Sequence, residues 1–184
     1  LQYRPDTVRE VYLGEGSVAP DLLELLKKHN LRPLPLNPKK IKDLPLDAIH
    51  QGMAALIDLA SLVQNYDVFI RDAQITPDTA YIILGEVQDP QNVGSIIRSA
   101  AAFGIAALLL PEHRQAPING TVVKVSAGMA FRLPLVTIGN VNTTIADLKE
   151  RGFWIYGLEG EGSQSVYDEG FEKASAFIVG NEAT

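Results

Sequence analysis

Leu84-Gly85-Glu86-Val87-Gln88-Asp89-Pro90-Gln91-Asn92-Val93-Gly94-Ser95-Ile96-Ile97-Arg98-Ser99-Ala100-Ala101-Ala102-Phe103-Gly104 is the stretch that decides how the chain folds. It follows a short apolar, partly β-branched run, Tyr81-Ile82-Ile83-Leu84, which reads as a buried strand. Asp89-Pro90 breaks that run, because proline has no N–H to donate and disfavours helix in the residue before it. Asn92 is a candidate helix cap, with apolar positions 93, 96, 97, 100 and 103 on one helical face. Gly104 is the expected stop, and Ile105 to Leu110 is apolar enough to be the next buried strand. The unit is strand–loop–helix–strand, and its loop sits where open α/β sheets bind ligands, at the carboxyl end of a strand. Gln91, Ser95 and Arg98 form a polar stripe on the same helix, so Arg98 can face the mouth that Asn92 faces.

The whole string is more specific than its parts. Asp89-Pro90-x-Asn92-x-Gly94-x-Ile96-x-Arg98-Ser99-Ala100-x-x-Phe103-Gly104 closely resembles the first signature motif of the SpoU (TrmH) family. That family comprises RNA ribose 2′-O-methyltransferases of the knotted SPOUT class. Lys124-Val125-Ser126-Ala127-Gly128 resembles a further family segment, and Gly180-Asn181-Glu182 resembles the start of the second motif. Ile49-His50-Gln51-Gly52-Met53-Ala54-Ala55 is similar to the end of the accessory RNA-binding domain found in front of many members. His50 itself is expected to be a hydrogen-bonded structural histidine.

Composition sets the outer limits. The chain has 184 residues, 46% apolar and 21% charged, as an ordinary globular chain does. It contains no cysteine, which removes disulfides, thiolate zinc sites and a cysteine nucleophile from consideration. His29, His50 and His113 lie far apart, so no metal site is expected. The longest apolar run, Ala100 to Leu110, falls short of the roughly 18 residues a membrane span needs. The chain starts at Leu1 and not at methionine, so a true N-terminus ahead of it is expected.

Net charge is −6, unlike the basic footprint of a nonspecific nucleic-acid binder. The balance is uneven: residues 1–50 carry eight Lys and Arg against seven Asp and Glu, the remainder eight against fifteen. An RNA grip is therefore expected toward the front, with Lys39, Lys40 and Lys42 as candidates.

The expected organisation is a small α/β unit over residues 1–56, a connector over 57–78 and a larger α/β domain over 79–184. Val8 to Leu13 reads as a strand. Leu22, Leu23, Leu25 and Leu26 read as a helix face ending in basic residues that suit the helix dipole. The connector is expected to hold a helix through Ala60 to Ala73. Farther on, a strand is expected at Leu133 to Ile138, a helix from Thr143 to the Gly152 stop, and strands at Phe153–Leu158 and Ala176–Val179.

The resemblance implies an α/β fold with a knotted, mostly parallel sheet flanked by helices, behind a small ribosomal-protein-like α/β domain. It also implies that the third family motif lies beyond Thr184, so that the C-terminal part of the knot is absent from this chain. It implies S-adenosyl-L-methionine as cofactor, with Gly180, Leu158, Gly160 and Asn181 around it. The acceptor would be RNA, ribosomal RNA ahead of transfer RNA because of the accessory domain. A homodimer is implied, with no membrane and no metal, in the cytoplasm; an organellar location stays open.

Methyl transfer to a ribose hydroxyl requires a held donor, an aligned 2′-oxygen and a route for the proton. Arg98 is the residue the resemblance associates with activating the hydroxyl, with Asn92 and Glu182 shaping the site. A guanidinium stays protonated in proteins, so stabilising a developing alkoxide or holding a phosphate suits Arg98 better than acting as a base. Two other classes compete. One is a catalytically silent RNA-binding or ribosome assembly factor with the same fold. The other is a dinucleotide-binding oxidoreductase, which the wrong spacing of Gly157, Gly160 and Gly162 disfavours.

Overall fold

Alternation along Ala80–Gly85 sends Tyr81 and Ile83 to one face of a sheet and Ile82 and Leu84 to the other. A computed structural model describes residues 1–16, 19–41, 44, 49–158, 162 and 165–180. The chain divides into two compact units, Leu1–Ser61 and Leu62–Thr184.

In the first unit, β1 (Val8–Leu13) pairs in parallel with the two-residue β2 (Leu34–Pro35) and antiparallel with β3 (Met53–Ile57). Helix α1 (Pro20–Lys28) carries Lys27 and Lys28 in its last turn. Among the described residues of this unit, Val11 of β1 and Leu26 of α1 are the buried apolar side chains. His50 accepts the Gly52 N–H on Nδ1 at 3.1 Å and steadies the turn into β3, in which Gln51 and Gly52 are left-handed. Strand β3 carries no clear alternation of apolar and polar residues, and the sequence reading missed it.

The second unit is a six-stranded sheet in the order β4-β7-β6-β5-β9-β8, every neighbouring pair parallel. Its strands are β4 (Val63–Asn65), β5 (Ala80–Gly85), β6 (Ala107–Pro111), β7 (Leu135–Ile138), β8 (Trp154–Gly157) and β9 (Ser175–Gly180). The helices are α2 (Tyr66–Asp72), α3 (Pro90–Ala102), α4 (Gly120–Val125) and α5 (Val141–Glu150). Residues of α3 and α4 pack with Leu84, Leu108 and Leu110, while those of α2 and α5 pack with Ile83, Leu109 and Val136. Helices therefore cover both faces, as parallel sheets require.

From β5 the chain steps through β6 to β7 toward one edge, then crosses to β8 at the other edge and returns as β9 beside β5. Neighbours β5 and β9 are far apart in sequence, and their carboxyl ends lie on the side of the sheet where open α/β sheets bind ligands.

Four expectations need correction. The connector over 57–78 is not a linker: β3 runs to Ile57, and Val63–Asn65 pairs with Leu135–Thr137 of β7. Its helix is only Tyr66–Asp72, because Asn65 accepts the Asp67 N–H and fixes the start there. Asn92 does not cap α3; Asp89 does, accepting the Gln91 N–H at 2.8 Å, with Pro90 in the first helical position where no N–H is missed. Phe103 does not share the buried face. It follows the last helical residue and is 86% exposed, while Val93, Ile97 and Ala100 are buried as expected.

Gly94 explains how α3 and α4 approach. A Cβ there would lie 2.7 Å from Val125 Cβ and 3.0 Å from the Val122 carbonyl oxygen. Gly94→Ala gains helix propensity, about 1 kcal/mol, but overpacks a rigid contact at about 1–3 kcal/mol. Thermal unfolding should show a net destabilisation, and Val125→Ala added to it should recover most of the loss. A variant as stable as wild type would contradict this packing.

Candidate active site

The ends of β5 and β9 lie in register, Gly85 opposite Gly180. A Cβ on Gly85 would come to 3.4 Å from Gly180 Cα, an ordinary contact. A Cβ on Gly180 would meet nothing within 4 Å and would project into open space. That space is a cleft of about 490 Å³, within the range of small-molecule sites. Val87, Gln88 and Asp89 line it from the loop after β5, and Asn92, Ser95 and Ile96 from the first turns of α3. Val179 and Gly180 complete it.

Packing and capping divide the work of placing this wall. Val93 and Ile97 are fully buried, and each such side chain contributes about 1.5–3 kcal/mol. The Asp89 cap contributes about 0.5–2 kcal/mol. Packing therefore fixes the orientation of α3, and the cap fixes where it begins. The resulting cleft has carboxylate, amide and hydroxyl groups beside the apolar Val87, Ile96 and Val179, the mixture a polar ligand with a flat apolar part requires.

The residues singled out from sequence are only partly brought together. Asn92 and Gly180 line the cleft. Arg98 is exposed and lies off its wall, about 9 Å farther along the helix axis than Asn92. Leu158 follows β8, half exposed, its N–H donating to the Ile178 carbonyl at 3.1 Å. Gly160, Asn181 and Glu182, like Lys42, lie outside the described residues. Sequence reasoning missed Val87, Gln88 and Ile96 as cleft residues, while Val179 beside Gly180 was legible as a strand-end loop. Ser95 was legible as part of a polar stripe, one turn from Asn92. Among the described residues, no cluster of three or more His, Asp or Glu could hold a metal, and no helix is long and apolar enough to cross a membrane.

The family model described as SpoU rRNA Methylase matches residues 79–184. A 23S rRNA (guanosine-2′-O-)-methyltransferase RlmB from Xanthomonas axonopodis pv. citri is 34% identical, covering 97% of this chain and 73% of that one. The chain belongs to the SpoU family. Another SpoU relative, RlmB of Neisseria meningitidis, is 30% identical over 99% of this chain and 73% of its own. Among solved SpoU structures, AviRb from Streptomyces viridochromogenes in complex with AdoMet superposes with a TM-score of 0.75 at 21% identity, covering 96% of this chain and 66% of that one. The AdoMet-bound rRNA methyltransferase of Sinorhizobium meliloti gives 0.74 at 20% identity, covering 100% and 69%. The α/β fold with its parallel sheet is that of these SpoU enzymes.

A second cleft, about 320 Å³, opens at the ends of β4 and β7 and is lined in part by Tyr66, Asn140, Asp147 and Arg151. Its polar groups are engaged with one another. Tyr66 donates to Asp147 Oδ2 at 2.6 Å, and Arg151 Nε donates to the same oxygen at 2.7 Å. Arg151, aided by the Tyr66 hydroxyl, holds the Asp147 carboxyl below its ordinary range. Burial and the Asp147 carboxylate push the Tyr66 phenol up. This is a tether between α2 and α5. Tyr66→Phe should cost about 1 kcal/mol at neutral pH, as one part-exposed hydrogen bond does. Because the folded phenol is raised, its contribution is complete below the unfolded value of about 10 and fades as pH rises through the folded one. The stability gap between wild type and variant should therefore narrow above pH 10; a gap that widens there would contradict the tether.

Proposed function

We propose that the protein transfers a methyl group from S-adenosyl-L-methionine to a ribose 2′-hydroxyl of large-subunit ribosomal RNA. The observation that carries this is the glycine-floored cleft between β5 and β9, built by the residues that match the first SpoU motif. Bare backbone at Gly180 lets an adenosine approach closely, and Val87, Ile96 and Val179 offer it apolar cover. The cofactor supplies an electrophilic methyl on a sulfonium. Leu158, Gly160, Gly180 and Asn181 are the residues we assign to its binding.

The remaining chemistry belongs to side chains. Asn92, on the cleft wall, can hold the polar end of the cofactor or the acceptor ribose. We assign Arg98, exposed and beyond the cleft, to the RNA side, where it would stabilise the developing alkoxide or grip a neighbouring phosphate. Glu182 is assigned to the same site. The first unit, with Lys39 and Lys40 exposed, would bind the RNA. A knotted C-terminal end, a homodimer that completes the site and a cytoplasmic location belong to the same proposal. Ribosomal RNA is favoured over transfer RNA by the identity to the RlmB enzymes along nearly all of this chain.

The test is tritiated methyl transfer by the protein to 23S rRNA and to tRNA, followed by nuclease mapping of the label. Label in the ribose of 23S rRNA is expected; label only in tRNA would move the substrate. AdoMet binding without transfer to any RNA would favour a silent assembly factor. Arg98→Ala should lower turnover by about 10²–10⁴-fold, the range of electrostatic and proton-transfer roles. Cofactor affinity, by calorimetry, should stay unchanged; a variant that keeps most of its activity would return Arg98 to an ordinary solvated side chain.

A further inference from the structure

We propose that Gln115 is a positioning residue for the cofactor cleft, holding the Val87 peptide and with it the Val87–Asp89 rim. The inference rests on the reading of this cleft as the S-adenosylmethionine site.

After Gly85 the chain does not run straight into α3. Glu86 adopts a left-handed backbone, φ +58°, and this turns the buried Val87 toward the segment that follows β6. That segment takes up both backbone groups of Val87. Its N–H donates to Gln115 Oε1 at 3.2 Å, and its carbonyl accepts the Ala116 N–H at 3.0 Å. Arg114 is left-handed as well, φ +55°, and its Nη1 meets Glu86 Oε1 at 3.1 Å. Non-glycine residues in this region persist only where surrounding contacts hold them, and they gather at ligand clamps.

The other end of the same amide adds an independent observation. Gln115 Nε2 is buried and, among the described residues, has no hydrogen-bond partner. Buried polar groups are otherwise nearly always satisfied, and local rules are broken chiefly at functional sites. A leucine here would avoid the orphaned donor but would leave the Val87 N–H unpaired. Glutamine thus carries a cost in stability and secures the place of one peptide. The Glu86–Arg114 pair is too exposed, at 52% and 74%, to do this alone.

The placement bears directly on ligand binding. Val87, Gln88 and Asp89 form one wall of the cleft, and Asp89 caps α3, which forms the other. A shift at Val87 is therefore felt by both walls. Gln115 does not itself line the cleft, so its influence on a ligand runs through the Val87 backbone.

The experiment is calorimetric binding of S-adenosylhomocysteine to the full chain, with steady-state kinetics alongside. Gln115→Leu should raise Kd, and KM for the cofactor, about tenfold, the equivalent of one hydrogen bond, while kcat is kept. Gln115→Glu, which retains an oxygen for the Val87 N–H, should restore most of the affinity. Arg114→Ala should leave Kd near wild type. Should Gln115→Leu not fold, Gln115→Asn, whose oxygen is withdrawn by one methylene, serves in its place with the same expectation. An unchanged Kd in the folded variant, or Arg114→Ala weakening binding as much as Gln115→Leu, would overturn the proposal. Failure of the wild type to bind would instead overturn the assignment of the cleft.

Discussion

The pairing of β5 with β9 is the constraint on which the site depends. These strands are neighbours in space but far apart in sequence, and they stay in register from Ala80 opposite Ser175 to Gly85 opposite Gly180. Ile83 at their centre is fully buried, and the helices on the two faces close over the pair from both sides. The chain leaves β5 for β6 on one side, and β9 is reached from β8 on the other, so no direct connection joins the two strands whose carboxyl ends flank the cleft. Both ends are glycine, and at Gly180 the absence of a side chain leaves the floor of the opening bare.

The walls follow from the same constraint. With β5 fixed, Val93 and Ile97 seat α3, and Asp89 sets its first turn. Gly94 lets α4 come close to it, and the segment after β6 ties down Val87. Each contact is modest, but they converge on one short loop. The loop that lines the cleft is thus held by contacts within the protein, and such preorganisation lowers the ordering cost of binding.

Much of this was legible in the sequence, and the reasons are particular. Short apolar runs bounded by proline and glycine marked β5, β6 and β9, because strands buried on both faces read as continuous apolar stretches. Val8–Leu13 was placed as a strand and is one. The position of Asn92 at the mouth was also visible, although its expected role as cap belongs to Asp89. What escaped reading lacked a local signal. Strand β4 is three residues long and is a strand only because β7 lies beside it. Gln115 looks like any loop glutamine until the fold brings it to Val87, and Phe103 left the buried face because the helix ends one residue earlier. The residues assigned to catalysis beyond the cleft, Arg98 above all, remain a proposal that the fold makes specific.

The most direct test of the account is a crystal structure of the full chain with S-adenosylhomocysteine. The account predicts the ligand between the loop after β5 and the end of β9, with Val87 and Gly180 against it and Arg98 free of contact with it. Ligand bound elsewhere, in the Tyr66–Asp147 cleft for example, would contradict it.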